Sequence, residues 1–267
     1  MSVKVVPIEL SLHCFQVNAL AFLPSKTGVA IKSEWAIFTH GYTSHKGDCL
    51  NWATRIVEAG VPCVIFDQPG HYLGSFNEIH SFDDFKHHAH ELFGEAFIAL
   101  GLLLEKHLGH GQYPSCTGVI LGGHSLGAYT SLRAMKLPVF SELKRLNLGV
   151  GIGIGQRQSA HIFETAFYEK TLSIRRQLVS HHIDAKAVFS WLKEEKTHLS
   201  ISGERIHLIT GEDDVVVGPG GLEAFLEVLI KNVNDVTWER PKRLPHHEPG
   251  GASPHLYAFL KKHFEWP

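Results

Sequence analysis

The sequence predicts an α/β chain built on a mainly parallel β-sheet with helices on both faces. Three observations carry this. Short apolar runs rich in β-branched residues alternate with stretches whose apolar residues recur at helical spacing. A serine flanked by glycines, Gly123-His124-Ser125-Leu126-Gly127, stands between one such run and one such helix. Four polar loops each follow a strand: His40-Gly41-Tyr42, Gly123 to Gly127, Asp213-Asp214 and His246-His247. In a parallel sheet these loops meet at one edge, outside the carboxyl ends of the strands, where ligands of such sheets bind.

The totals narrow the class. A chain of 267 residues, 44% hydrophobic and 19% charged, can bury a large single core. A formal net charge of −2 gives no reason to expect nucleic acid or an anionic membrane as partner. No apolar run is long enough to span a bilayer, so no integral membrane association is expected. Met1 to Pro7 does not read as a signal peptide, and the four cysteines (Cys14, Cys49, Cys63, Cys116) form no Cys-x-x-Cys. A reduced, cytoplasmic setting is therefore expected. The twenty histidines are densest at Lys86-His87-His88-Ala89-His90-Glu91. A zinc-protease helix needs His-Glu-x-x-His, and Gly94 stands where the second histidine would be. His87 and Glu91 can share a helix face, but two ligands do not make a metal site. No metal and no cofactor is expected.

In chain order, Val3 to Leu10 and Phe15 to Phe22 read as opening strands, and Pro24 to Gly28 as a turn. Trp35 to Thr39 is a short buried strand ending at His40-Gly41. A helix follows with Leu50, Ala53, Ile56 and Val57 on one face and ends at Gly60. Val61 to Phe66 is a strand that turns out at Asp67-Gln68-Pro69-Gly70. Ser81 to Asp84 resembles a capping box opening one long helix, whose apolar stripe runs from Phe85 to Leu104 and belongs to the core. The Thr117 to Leu121 run is the strand before the serine, and the helix after it stops at Pro138. Leu146 to Ile154 is a glycine-rich strand, which suggests close approach by a neighbouring backbone. From Gln156 to His198 the alternation breaks into two or three short helices. Arg205 to Thr210 is a strand, Leu222 to Ile230 a helix, Val236 to Leu244 a last strand interrupted by Pro241 and so near an edge, and Ser253 to Phe264 a closing helix.

The chemistry at the shared edge follows from residue type. A serine atop a tight strand-to-helix turn sits in strained backbone geometry, and Gly123 and Gly127 remove the side chains that would collide there. A serine hydroxyl needs a base, and the base needs a carboxylate that fixes its tautomer. The order serine, acid, histidine is present. Ser125 is the candidate nucleophile. The acid lies among Glu212, Asp213 and Asp214, with Asp214 preferred and Asp213 the alternative. The base is His247 by preference, because it comes later in its loop, with His246 the alternative. His124 is expected to pack under the turn. The backbone N–H groups of Leu126 and Tyr42 are the candidate donors to an oxyanion.

These residues resemble the α/β-hydrolase family over nearly the whole chain. The matching features are His40-Gly41 after an early strand, Asp67-x-Pro69-Gly70, Gly123-His124-Ser125-Leu126-Gly127, Gly211-x-x-Asp214-x-x-Val217, and His247-Glu248 before a final helix. The resemblance implies an eight-stranded sheet, a serine–acid–histidine triad and a helical cap between the sixth and seventh strands. Residues 156–198 fall where that cap belongs, and residues 1–155 and 199–267 form the core. His40-Gly41-Tyr42-Thr43 departs from the His-Gly-Gly-Gly loop of the hormone-sensitive-lipase group. Serine at position 125 departs from the aspartate of haloalkane dehalogenases and epoxide hydrolases. The expected activity is hydrolysis of a small-molecule carboxylic ester through an acyl-enzyme. Thioesterase, lysophospholipase, peptidase and acyltransferase activities use the same groups, and a non-catalytic binding protein is the alternative of another class. Phe163, Phe167, Phe189 and Trp191 either line an apolar substrate pocket or form the cap's own core.

Overall fold

Strand β5 (Gly118–His124) is buried along its whole length, and the sheet is laid out on both sides of it. A computed structural model describes residues 3–25, 29–109, 111–155 and 166–266. The eight strands are β1 (Lys4–Leu12), β2 (Phe15–Leu23), β3 (Glu34–Thr39), β4 (Cys63–Phe66), β5, β6 (Lys144–Val150), β7 (Arg205–Ile209) and β8 (Asp235–Glu239). Their order across the sheet is β1-β2-β4-β3-β5-β6-β7-β8. Strands β3 to β8 run parallel, while β2 pairs antiparallel with both β1 and β4.

The register keeps the carboxyl ends level. Thr39 lies beside Phe66 and Gly123, His124 beside Val150, Val150 beside Ile209, and Ile209 beside Glu239. Every loop that leaves these strands therefore starts from one line, as the alternation of elements predicts.

Two apolar layers cover the faces. Helices α1 (Leu50–Glu58) and α8 (Ser253–His263) bury Trp52, Ala53, Ile56, Leu256 and Leu260 against one face. Helices α3 (Leu92–Leu108), α4 (Leu126–Ala134) and α7 (Gly221–Lys231) bury Phe93, Leu100, Leu132, Phe225 and Leu229 against the other. Between β6 and β7 lie α5 (Ala166–Arg175) and α6 (Ala185–Thr197), separated by two 3-10 turns. Among the described residues, no helix is long and apolar enough to cross a membrane.

Three elements differ from the sequence reading. The long helix after Ser81 is two: α2 (Phe82–His88), a 3-10 turn at Ala89–Glu91, then α3. Ser81 does cap it, its Oγ accepting from the Asp84 N–H at 3.0 Å. The backbone leaves helical geometry at His88, at φ −122°. The change of pitch still buries Phe85 before it, Ala89 within it and Leu92 and Phe93 after it. Strand β6 stops at Val150 because Gly151 takes φ +62° and turns the chain. Strand β8 is an edge strand, as Pro241 suggests, but already ends at Glu239.

The loop after β4 is organised by one carboxylate. Asp67 is fully buried. Its Oδ1 accepts from the Lys46 backbone N–H at 2.7 Å, and its Oδ2 from Lys46 Nζ at 2.7 Å and Ser75 Oγ at 3.0 Å. The chain returns so closely over it that a Cβ at Gly74 would lie 2.1 Å from the carboxylate. Beside it, His40 Nε2 accepts from the Gln68 N–H at 2.8 Å, so Nδ1 carries the proton and donates to the Gly41 carbonyl. Asp67 thus ties the loop after β4 to the loop after β3. Asp67→Ala should cost roughly 3–5 kcal/mol of unfolding free energy in urea titrations, the loss expected on breaking a buried ion pair.

Candidate active site

Ser125 stands at the bend between β5 and α4 with φ +51° and ψ −109°, a region costly for a residue with a Cβ. The bend is held by the Ser125 N–H donating to the Val150 carbonyl at 2.8 Å. It is possible only because nothing projects from its flanks. A Cβ at Gly123 would lie 2.5 Å from the Gly127 carbonyl carbon, and one at Gly127 would lie 2.5 Å from the carbonyl oxygens of Thr39 and His40. Strand and helix therefore touch backbone to backbone, and Ser125 is turned into the cavity that both His246 and His247 also line.

Asp214 lies past the end of β7. Its Oδ1 accepts from the Val216 and Val217 N–H groups at 3.0 and 2.9 Å, which leaves Oδ2 facing the edge of the sheet. There it accepts from Nδ1 of His246 at 2.8 Å. The two side chains are 1% and 9% exposed. With Nδ1 donating to a carboxylate, Nε2 of His246 holds a lone pair. Of the two late histidines, then, the partner of Asp214 is His246 and not the preferred His247. The reason is a tether. Asp213 Oδ1 accepts from the Leu244 N–H at 2.8 Å, and Trp52 Nε1 donates to the Pro249 carbonyl at 2.9 Å. Pinned at both ends, the loop delivers its first histidine to the carboxylate. The ring of His247 stands at 88° to that of His246, with centroids 6.1 Å apart, on the exposed side. Burial, then the Arg175 charge, holds its pKa below the usual imidazole value. Asp213, the alternative acid, is the residue that sets the tether.

His124 is buried, as expected for its place in the elbow, with its ring centroid 4.6 Å from that of His246. Burial, then the neighbouring imidazoles, keeps it neutral, well below the usual range. The ring is wedged between two glycines. A Cβ at Gly41 would lie 2.6 Å from its Nδ1, and one at Gly151 would lie 2.9 Å from its Nε2 and 3.2 Å from Nδ1 of His246. Gly151 is a site residue that sequence reasoning missed. The glycine richness of that strand was its signal, but the group approaching is a pair of imidazoles, whereas at Gly153 it is the Val217 side chain together with backbone, the Gly221 carbonyl.

Leu126 is the first residue of α4, where N–H groups have no intrahelical acceptor. Tyr42 lies in the loop after β3 and lines the same cavity as Ser125. Its phenol donates to the Ile183 carbonyl at 2.8 Å, which leaves its backbone N–H as its candidate donor. The cavity encloses about 320 Å³. Tyr42, Leu73, Leu178 and Phe189 supply apolar wall, and His45, Asp48 and Arg175 supply polar wall. Arg175 reaches it from the end of α5, with Nη1 donating to Thr43 Oγ1 at 3.3 Å. Of the four aromatics named from the sequence, Phe189 lines the cavity. Trp191 instead packs edge-on against Phe82, Phe85 and Tyr129 in the core. Phe163 and the side chain of Phe167 lie outside the described residues.

The comparisons agree with this architecture. The family model described as "Alpha/beta hydrolase family" matches residues 36–195, and the chain belongs to that family. No curated protein matches the chain by sequence. Among solved structures, an esterase from Pyrobaculum calidifontis is similar at 14% identity and TM-score 0.66, over 97% of this chain and 85% of that one. A serine hydrolase without lid from Xanthomonas campestris is similar at 18% identity and TM-score 0.56, over 97% and 96%. An epoxide hydrolase from Vigna radiata is similar at 10% identity and TM-score 0.63, over 98% of each. At these identities the likeness is one of fold.

The strain at Ser125 makes a measurable expectation. Ser125→Gly should raise unfolding free energy by about 1 kcal/mol in chemical denaturation, because relief of the left-handed backbone outweighs the added freedom of the unfolded chain.

Proposed function

We propose that this α/β-hydrolase cleaves a small carboxylic ester through an acyl-enzyme. Ser125 Oγ attacks the ester carbonyl carbon while His246 Nε2 takes its proton. Asp214 holds the tautomer of His246 and stabilises the imidazolium. The N–H groups of Leu126 and Tyr42 receive the negative charge that develops on the carbonyl oxygen. His246 then returns the proton to the departing alcohol, and the acyl group remains on Ser125. In the second half, His246 deprotonates a water that attacks the acyl carbon, and the proton returns to Ser125 as the acid leaves.

The observation that carries this reading is the 2.8 Å bond from His246 to the buried carboxylate of Asp214, made beside a serine held at positive φ in the cavity that His246 also lines. It also supports His246 as the base in place of His247. Residues 156–198 act as the cap: Phe189, Leu178 and Arg175 come from this segment and form one wall of the cavity. The cavity as a whole sets His45, Asp48 and Arg175 among its apolar residues, which favours a short or functionalised acyl group over a long aliphatic one. Thioesters are open to the same attack.

A fluorophosphonate probe should label the wild-type protein and leave Ser125→Ala unlabelled. With a short p-nitrophenyl ester, His246→Ala should lower kcat at least about a thousandfold, the scale on which a serine–histidine pair acts, and His247→Ala less than about tenfold. Folded wild-type protein that neither reacts with the probe nor turns over esters would leave the non-catalytic reading in its place. The reverse ranking of the two histidines would return the base to His247.

A further inference from the structure

A second cluster of chemically capable groups lies well away from Ser125. The tip of the β1–β2 hairpin packs on the interruption between α2 and α3, and β2 is separated from β5 by both β4 and β3. His13, in the two-residue turn, points its Nε2 at Oε2 of Glu91 at 2.9 Å. His88 Nδ1 lies 3.3 Å from the same oxygen. The two imidazoles are 4.3 Å apart between centroids. The three donor atoms all lie within 4.8 Å of one another.

We propose that His13, His88 and Glu91 bind one divalent transition-metal ion of the Zn²⁺ type. Two neutral imidazoles and a carboxylate suit zinc, cobalt, nickel or copper, and a pair of nitrogens disfavours magnesium and calcium. Metal–ligand distances near 2.0–2.1 Å put tetrahedral donors about 3.3 Å apart, so the separations of 2.9 and 3.3 Å already approach an edge of that tetrahedron. All three side chains are partly exposed, which leaves the fourth position to water. Binding requires each ligating nitrogen to present its lone pair, so each neutral imidazole would carry its proton on the other ring nitrogen.

Two departures from regular backbone bring the donors together. His13 occupies φ +51° in a tight hairpin turn, where glycine or asparagine is favoured. The 3-10 turn at Ala89–Glu91 sets Glu91 three residues after His88, the spacing at which side chains eclipse in that helix. The sequence shows only the histidine run on one segment. The third ligand arrives from 75 positions earlier. A bound ion would clip the antiparallel hairpin to the helical layer. Beside it, Cys14, His80 and Asp84 form a second triplet. There, burial and then the Asp84 carboxylate push the Cys14 thiol up, which opposes the thiolate a metal needs.

The test uses the full chain without a histidine tag, titrated with Zn²⁺ by calorimetry and with Co²⁺ by visible absorption near neutral pH. The expected result is one ion bound at micromolar or tighter affinity, with a rise in Tm. His13→Gly, which relieves the turn, should fold normally and weaken binding at least about tenfold, the loss that even an outer-shell partner causes. Cys14→Ser and Ser125→Ala should bind as the wild type does. The proposal is overturned if the wild-type protein binds only at millimolar metal, if His13→Gly binds unchanged, or if Cys14→Ser loses the ion.

Discussion

The structure depends on the backbone contact between the bend at Ser125 and the end of β3. At 2.5 Å from the Thr39 and His40 carbonyl oxygens there is room for a hydrogen on Gly127 and for nothing larger. That closeness fixes where α4 begins, and so where its free N–H groups point. It also fixes the height of Ser125 above the sheet and the distance from the serine loop to the loop carrying Tyr42. The unfavourable φ of Ser125 survives because the packing on both sides leaves the chain no alternative path.

Around that contact, the site is assembled from loops that begin at one level. The parallel register aligns the ends of β3 to β8, and aspartates hold the loops after β3, β4, β7 and β8. Asp67 holds the loops after β3 and β4 through Lys46 and Ser75. Asp214 holds its own loop through the Val216 and Val217 N–H groups. Asp213 holds the last loop through Leu244. Adjacent aspartates thus do separate work, one facing the imidazole and the other anchoring the backbone that presents it. Rigidity of this kind suits a reaction whose charge stabilisation must be in place beforehand.

The histidines divide by surroundings. His40 is buried with both nitrogens engaged, and His71, buried against it, is held down to about 4 by burial. His124 is a neutral wedge between Gly41 and Gly151. His246 is bonded to a buried carboxylate, and His13 and His88 meet on Glu91 at the far side of the sheet. One residue type serves as spacer, hydrogen-bond bridge, candidate base and candidate ligand.

Much of this was legible in the chain. The alternation of strand and helix, the glycine-flanked serine and the capping serine before α2 are local patterns, set by side-chain periodicity and by what a tight turn will admit. Neighbours in sequence determine such features, and they held. The choice between His246 and His247 is different in kind. It rests on Asp213 reaching Leu244 and Trp52 reaching Pro249, bonds that span 31 and 197 positions and leave no trace in the loop itself. The same is true of Gly151, whose need for glycine comes from the rings of His124 and His246, and of His13, which meets its partners only after the hairpin folds onto α2. The sequence by itself determined which elements form and which residues are candidates for chemistry. Only the tertiary structure decided which of two adjacent side chains faces its partner, because that is set by where distant backbone is tied down.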